Sequence, residues 1–518
     1  MTPAATGSEL PKVWPTVVHM LIDAAQRSPS AIALICGSDH LTYEEYASCV
    51  AGVAARLRDL GIGSGDRVAL AMSNCADLAI ATFGVQAAGA QVVPVNPSYT
   101  ASEFGPILEN AECIAILFDA TASTNLQNLL HSYRTECAIR IGTDGERLTR
   151  WRGAGLALEV HTLPDTDQLS TLQYTGGTTG RSKGVNLTHR SVAINVSQRE
   201  ALLPTRPDCE RVLAMTPLFH VYAVAMCLYL AAYCRGTLVI LERTKPELAL
   251  RAVADHRITL MSGSPTIFIG MMASVEFART DMSSLALCYS GSAALAPDTL
   301  QRWQDATGCG ICEGYGQSEA GPVLAFNPVR GVRKIGSVGV AVPGTDIEIV
   351  DVETGKHPLG RGQIGEIRAR GPQIMAGYRV LSEETSRALR DGWLYTGDIG
   401  EIDADGYLFI RDRKKEMVIV SGYNVYPREV EEALLAHPAV REAAVVGVHD
   451  DYRGEALVGY VSLANGAVTE ADLKEFLGKR LVRYKIPTTI RFIDELPKTP
   501  VGKTDKNSLR DAAKRAGG

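Results

Sequence analysis

The sequence predicts an α/β protein, with two doubly wound α/β subdomains and a β-rich subdomain in a large N-terminal domain and a small α+β domain at the C-terminus. Three observations predict it. At 518 residues the chain is too long for one ordinary core. Over residues 41–307, short apolar runs of strand type alternate with stretches of helical periodicity, the pattern of parallel strands joined by crossover helices. From residue 334 that alternation stops, and short strand-like pieces punctuated by Gly and Pro lead into a compact tail.

Taken in order, residues 1–30 read as a polar lead and a first helix. Residues 41–61 carry apolar positions at helical spacing, and Gly61 stops them. RVALAM (67–72) is a strand, 76–90 a small-residue helix, 91–96 a strand, 101–111 a helix and 113–119 a strand. Residues 121–167 look irregular and peripheral. The stretch LQYTGGTTGRSKG (172–184) follows a strand, and residues from Leu187, opened by Thr188, read as a helix. Alternation then resumes: strands at 211–216, 236–241, 258–262 and 285–290, helices at 221–234, 248–256 and 297–307. SVGVAV, DIEIVD and IGEIRARG supply the β-rich part. After the charged RDRKKE (411–416), helices at 427–436 and 469–481 and strands at 441–448, 457–463 and 489–493 form the tail.

Composition narrows the function. Hydrophobic residues make up 46% and charged residues 21%, ordinary for a globular protein. A net charge of −6 with no long Lys/Arg run argues against a nucleic-acid partner. The 11 cysteines, an odd number scattered from Cys36 to Cys312, suit reduced thiols in a cytoplasm. Cys309 and Cys312 form a CxxC without a second pair or a nearby His, and read as small apolar residues entering a buried strand. MTPAATGSEL has no apolar core of a signal peptide, and the most apolar run, 221–234, is too short to be an integral membrane segment.

Four stretches carry candidate chemistry. The 172–184 loop concentrates Gly, Thr, Ser and Lys: glycines let backbone N–H groups approach a phosphate, hydroxyls donate to its oxygens, and Lys183 is a point charge. Arg181 and Ser182 separate Gly180 from Lys183, so it is not the Walker pattern. GYGQSEAGP (314–322) offers Glu319 as an oxygen ligand for Mg²⁺, Tyr315 as a ring for a purine and Ser318 as a phosphate donor; a capped loop is the plain alternative. GWLYTGDIG (392–400) places Asp398 where a carboxylate binds a ribose diol, though Asp is common in turns. PKTPVGKTDK (497–506) carries three lysines that otherwise read as a solvated basic tail.

In this order and spacing, LQYTGGTTG…KG, YGQSE, GWLYTGD, DRKKE…SGYNVYP and PKTPVGK resemble the adenylate-forming superfamily: acyl- and aryl-CoA synthetases, adenylation domains and luciferases. The match runs over nearly the whole chain, and its texture is that of fatty-acyl-CoA synthetases. Two departures stand out: Gly176 where many members have Ser, a glycine that fatty-acyl members share, and Gln317-Ser318 where the fatty-acyl pattern is Leu-Thr, changes near the carboxylate and pocket floor that bear on chain length rather than on the chemistry.

The resemblance implies an ATP-dependent, Mg²⁺-assisted ligase that makes an acyl-adenylate and passes the acyl group to CoA. It implies that Thr175, Gly176, Gly177, Thr178, Thr179, Gly180 and Lys183 hold the β- and γ-phosphates, that Glu319 holds Mg²⁺ and that Ser318 meets the α-phosphate. Gly291, Ser292 and Ala293 would line the adenine with Gly314, Tyr315, Gly316 and Gln317 beside it, and Asp398 and Arg413 would take the ribose. Lys503 matches the catalytic lysine of adenylation. Domains of 1–412 and 413–518 would rotate about a hinge near Lys415, bringing Ser421, Gly422 and Tyr423 to the CoA channel.

His220 matches an aromatic gate at the acyl pocket, with a buried structural histidine as the alternative; Val221, Ala223, Tyr289 and Gly291 would form pocket walls. Those pieces contain no Lys or Arg, which argues for an apolar monocarboxylic acid, medium- or long-chain fatty or aryl/arylalkanoic, and against a dicarboxylate. Loading of a carrier protein is the alternative second step. The resemblance also implies a cytoplasmic enzyme, peripheral at most to the membrane where long acyl substrates reside, with a homodimer as a common arrangement.

Overall fold

The structure is a computed structural model of the chain, and it describes residues 10–130, 137–175, 182–291, 295–421, 423–450, 452–464, 468–499 and 504–517. It divides into two compact units, residues 1–346 with 369–394, and residues 347–368 with 395–518.

The first unit contains the predicted pair of α/β sheets. In one, strands Leu169–Thr175, Gln91–Pro94, Arg67–Ala71, Ala115–Phe118 and Cys137–Arg140 run parallel in that spatial order. Antiparallel strands Lys183–Thr188 and Gly377–Tyr378 extend its edge. In the other, Ile311–Gly316, Leu287–Ser290, Leu260–Gly263, Arg211–Ala214, Thr237–Ile240 and Ile32–Cys36 are parallel, with antiparallel strands at both ends. The helix Ala76–Ala88 is buried on every side, as a helix of small and apolar residues must be. Gly84 lets the helix Tyr43–Asp59 approach it, because a Cβ there would stand 2.5 Å from Val53 Cγ1. Thr42 and Glu45 close the start of that neighbour with a capping box.

Three local expectations are corrected. Residues from Leu187 do not begin a helix: Lys183–Thr188 is a strand whose Val185 and Leu187 are buried in step with its partner, and Thr188 caps the helix His189–Leu202. The segment 121–167 is less irregular than its composition suggests, containing most of the helix Ala120–Leu130 and the sheet strand Cys137–Arg140. The 221–234 helix is interrupted by a π-helical stretch, Val224–Tyr229. Such π-bulges tend to sit at functional sites.

In the second unit, residues 398–402 of the strand Trp393–Ile402 pair antiparallel with Leu408–Arg413, with Asp398 opposite Arg413. A further sheet joins Tyr423–Val425, Val418–Val420, Gly454–Leu463 and Val440–Asp450, and Thr489–Phe492 adds to it in parallel. Helices Pro427–Leu435 and Glu470–Gly478 bury Val430, Leu434, Leu473 and Leu477 in its core. Among the described residues no helix is long and apolar enough to cross a membrane. All 11 cysteines are unpaired.

Candidate active site

The glycine–threonine stretch runs between two paired antiparallel strands, Leu169–Thr175 and Lys183–Thr188. Thr175 lies opposite Lys183 and Tyr174 opposite Gly184, so the first hydroxyl and the lysine of the motif meet at the base of the turn. Gly176, Gly177, Thr178, Thr179 and Gly180 lie outside the described residues.

Tyr378 joins the motif's lysine to Glu319. Its hydroxyl donates to Glu319 Oε1 at 2.8 Å, and the Lys183 ammonium stands 5.1 Å from its ring centroid. The residue is placed by pairing: Tyr378 lies opposite Val185 on the strand that starts at Lys183. Burial first, and then the Glu319 charge, push its hydroxyl well above the usual tyrosine range, so it remains a donor. Sequence reasoning missed it, since a lone Tyr after MAG carries no chemical neighbours along the chain.

Glu319 sits in the short 3₁₀ turn Ser318–Ala320, and its carbonyl accepts from Met375 N at 2.9 Å. Gln317 N donates to Pro322 O at 2.9 Å, closing the loop on itself. The closure requires glycine at 316: a Cβ there would lie 1.8 Å from Pro322 O. Ser318, Glu319 and Tyr315 are all half-buried. Among the described residues no group of three or more His, Cys, Asp or Glu stands together to hold a metal. One carboxylate beside a phosphate-type loop fits Mg²⁺, which takes one or two carboxylates and draws its other ligands from phosphate and water.

Gly314 and Tyr315 lie on the Ile311–Gly316 strand, and Gly291 follows the neighbouring strand Leu287–Ser290. Glu313, buried and also missed from the sequence, accepts from Leu295 N at 3.0 Å and ties that residue to the Ile311–Gly316 strand. Ser292 and Ala293 lie outside the described residues. Ser290 Oγ is buried without a hydrogen-bond partner among the described residues.

His220 caps the turn Val221–Ala223, with Nδ1 accepting from Tyr222 N at 3.3 Å, and is half-buried. Behind it lies a narrow cavity of about 20 Å³, lined by Leu70, Val92, Leu187, Val221, Val224 and Ala225 among others. Ala223 is buried outside that lining. Gly291 faces Tyr222, whose ring would be 3.1 Å from an added Cβ. Tyr289 is fully buried, its hydroxyl donating to Met226 O at 2.6 Å.

Within the second unit, Arg413 Nε stands 3.5 Å from Asp398 Oδ1, and Asp398 is 8% exposed. Lys415 lies in the turn that follows, where Lys414 N donates to Gly397 O and Glu416 N to Arg413 O. Burial, then the Arg413 charge, push the Lys415 amine down to about 8. Ser421 adopts φ +51 and Tyr423 is exposed, stacked on Tyr484 at 4.6 Å. Gly422 and Lys503 lie outside the described residues.

The chain matches the AMP-binding enzyme family over residues 21–379 and the AMP-binding enzyme C-terminal domain over residues 429–503. A long-chain-fatty-acid–CoA ligase of Bacillus subtilis (strain 168) is 37% identical over 533 residues, 97% of this chain and 95% of the relative. The 4-coumarate–CoA ligase 3 of Oryza sativa subsp. japonica is 35% identical, over 90% and 86%. ATP-bound MatB from Rhodopseudomonas palustris superimposes with a TM-score of 0.89 at 31% identity, over 96% of this chain and 99% of that one. The chain belongs to the AMP-binding, adenylate-forming enzymes and is an AMP-forming acyl-CoA ligase.

Proposed function

We propose that this ligase activates an apolar monocarboxylic acid, medium- or long-chain fatty or arylalkanoic, and that the second acceptor is free CoA. The observation that carries the acid class is the apolar cavity beside Val221, walled mostly by aliphatic side chains from one sheet and the helices packed against it. The fatty-acyl and 4-coumarate specificities of the relatives bracket the same class.

The first step brings a carboxylate to a polyphosphate, so charge must be neutralised where it builds. Lys183 and the 175–180 turn hold the β- and γ-phosphates as the carboxylate oxygen attacks the α-phosphorus and pyrophosphate leaves. Glu319, oriented by Tyr378, holds Mg²⁺, whose charge screens the phosphates when it is bound. Asp398 accepts from the ribose hydroxyls, with Arg413 beside it. Lys503 bridges the carboxylate and the α-phosphate. The turn at Lys415 then serves as the hinge between domains 1–412 and 413–518, and CoA thiol displaces AMP from the adenylate along Ser421, Gly422 and Tyr423. The unpaired cysteines support a cytoplasmic location.

Pyrophosphate release across straight-chain, branched and aromatic acids, followed by AMP release with and without CoA, tests the reading. Turnover of apolar acids that needs CoA supports it. Turnover only with a phosphopantetheinylated carrier protein sinks the CoA assignment.

A further inference from the structure

The helix Ala101–Ala111 ends against the strands that surround the phosphate-side lysine. The last carbonyls of a helix have no partner inside it. Here they are taken up from outside: Arg379 Nε donates to Asn110 O at 2.6 Å, and Arg67 Nε donates to Ala111 O. Two arginines also suit the negative end of the helix dipole. Arg379 Nη2 meets Glu112 Oε2 at 2.5 Å, but Glu112 is 70% exposed, so that ion pair is screened and adds little. The bond to Asn110 is the one that fixes where the guanidinium lies.

Asn110 has a second tie. Its Oδ1 accepts from the Tyr174 hydroxyl at 2.6 Å. Tyr174 directly precedes Thr175 and lies opposite Gly184, the residue after Lys183. The pairing needs glycine at 184: a Cβ there would stand 2.9 Å from Leu172 Cδ1 and 3.1 Å from Tyr174 Cζ, pressing on the ring that reaches Asn110. On the other side of the Lys183–Thr188 strand, Tyr378 lies opposite Val185, and Arg379 N donates to Gly184 O at 2.8 Å. Asn110 is thus joined to both neighbours of the Lys183–Thr188 strand, to one through Tyr174 and to the other through Arg379.

We infer that Asn110 and Arg379 are positioning residues for adenylate formation, fixing three adjacent strands so that Tyr378 keeps its contacts with both Lys183 and Glu319. This rests on the proposed function and deepens it. Tyr378 belongs to an edge strand of two residues, Gly377–Tyr378, which is shorter than most and has little pairing of its own to hold it. Successive residues of extended chain point to opposite faces, so Arg379 grips the helix end while the Tyr378 hydroxyl bonds Glu319 at 2.8 Å. The bonds to Asn110 touch no reacting atom. They act through placement, and a displacement of about 1 Å at a reacting centre is worth about 100-fold in rate.

The test follows ATP–pyrophosphate exchange against Mg²⁺ concentration, and thioester formation from supplied acyl-adenylate. It uses native enzyme, Arg379→Met, Asn110→Ala, Tyr378→Phe and the double variant Arg379→Met with Tyr378→Phe. Arg379→Met and Asn110→Ala are each expected to lower kcat for exchange by about tenfold or more, with a weaker Mg²⁺ response, an unchanged KM for the acid and native thioester formation. The double variant should be no slower than the slower of its two parents, because both changes undo the same placement. Native exchange in either folded single variant overturns the inference. So do equal losses in both half-reactions, which mark a merely weakened fold, and losses that multiply in the double variant, which mark independent roles. If Arg379→Met does not fold, Asn110→Ala decides, since it removes only the acceptor for Tyr174 and leaves the backbone carbonyl in place. Absence of acid-dependent exchange in native enzyme would defeat the proposed function itself, whereas exchange indifferent to both substitutions defeats only this inference.

Discussion

The hydroxyl of Tyr378 donates to Oε1 of Glu319 at 2.8 Å across a separation of 59 residues, with the Lys183 ammonium above the same ring. One side chain therefore touches both Lys183 and Glu319, the residues proposed to meet phosphate and metal. Tyr378→Phe keeps the ring and removes the donor. Loss of one hydrogen bond to a charged acceptor is worth about 1.5–3 kcal/mol. Adenylate formation is expected to slow by about 10- to 100-fold, with a weaker response to Mg²⁺ concentration. Thioester formation from supplied adenylate should be unchanged. ATP–pyrophosphate exchange against Mg²⁺ checks it, and an unchanged Mg²⁺ response would remove Tyr378 from the site.

Gly316→Ala has nowhere to put its methyl group, since the obstacle at 1.8 Å is the Pro322 backbone carbonyl. The loop bearing Ser318 and Glu319 must move. Overpacking of this kind costs about 1–3 kcal/mol. A lowered melting temperature together with near-complete loss of pyrophosphate exchange is expected. A variant with native exchange would contradict the loop geometry.

The half-reactions separate the two proposed lysine roles. Lys503→Ala should abolish adenylate formation from acid and ATP yet leave thioester formation from supplied acyl-adenylate. Lys415→Pro, which restricts φ at the turn, should stall thioesterification more than adenylation. Single-turnover measurement of each step decides, and equal losses in both steps for either variant would be fatal to its assignment.

His189, fully buried with neither ring nitrogen hydrogen-bonded among the described residues, is held down to about 4 by burial and then by the His19 charge. The unfolded chain binds that proton near the ordinary histidine value of 6.5, so between 6.5 and 4 it carries more protons than the folded one. Stability therefore falls as pH falls through this window, by about 3 kcal/mol for a shift of this size. Measured across it, the urea midpoint of native protein should fall relative to that of His189→Leu as the pH drops. Parallel curves would mean that His189 titrates normally.

Much of the molecule was legible along the chain because its signals are local. The alternation of 67–119 and 211–307 records sheets buried on both faces, and Thr42, Thr100 and Thr188 stand at helix starts as their hydroxyl chemistry requires. KGVNLT was harder, because strand or helix there depends on whether residues 169–175 lie alongside. The hairpin Ile32–Cys36 with Asp39–Thr42 likewise declares itself only by joining a sheet whose next strand, Thr237–Ile240, lies about two hundred residues away.

The motifs Gly176–Gly180 with Lys183, Glu319, Asp398 and Lys503 are determined by sequence alone, since each needs particular atoms at a fixed spacing. Tertiary structure decided what stands behind them. Tyr378 reaches Glu319 through an edge strand, Glu313 holds Leu295 from its own strand, and Arg199 comes to rest over Tyr289 from a helix whose polar residues are largely buried. Supporting residues act through direction and burial, which arise when distant strands pair and helices pack, and no local spacing records them.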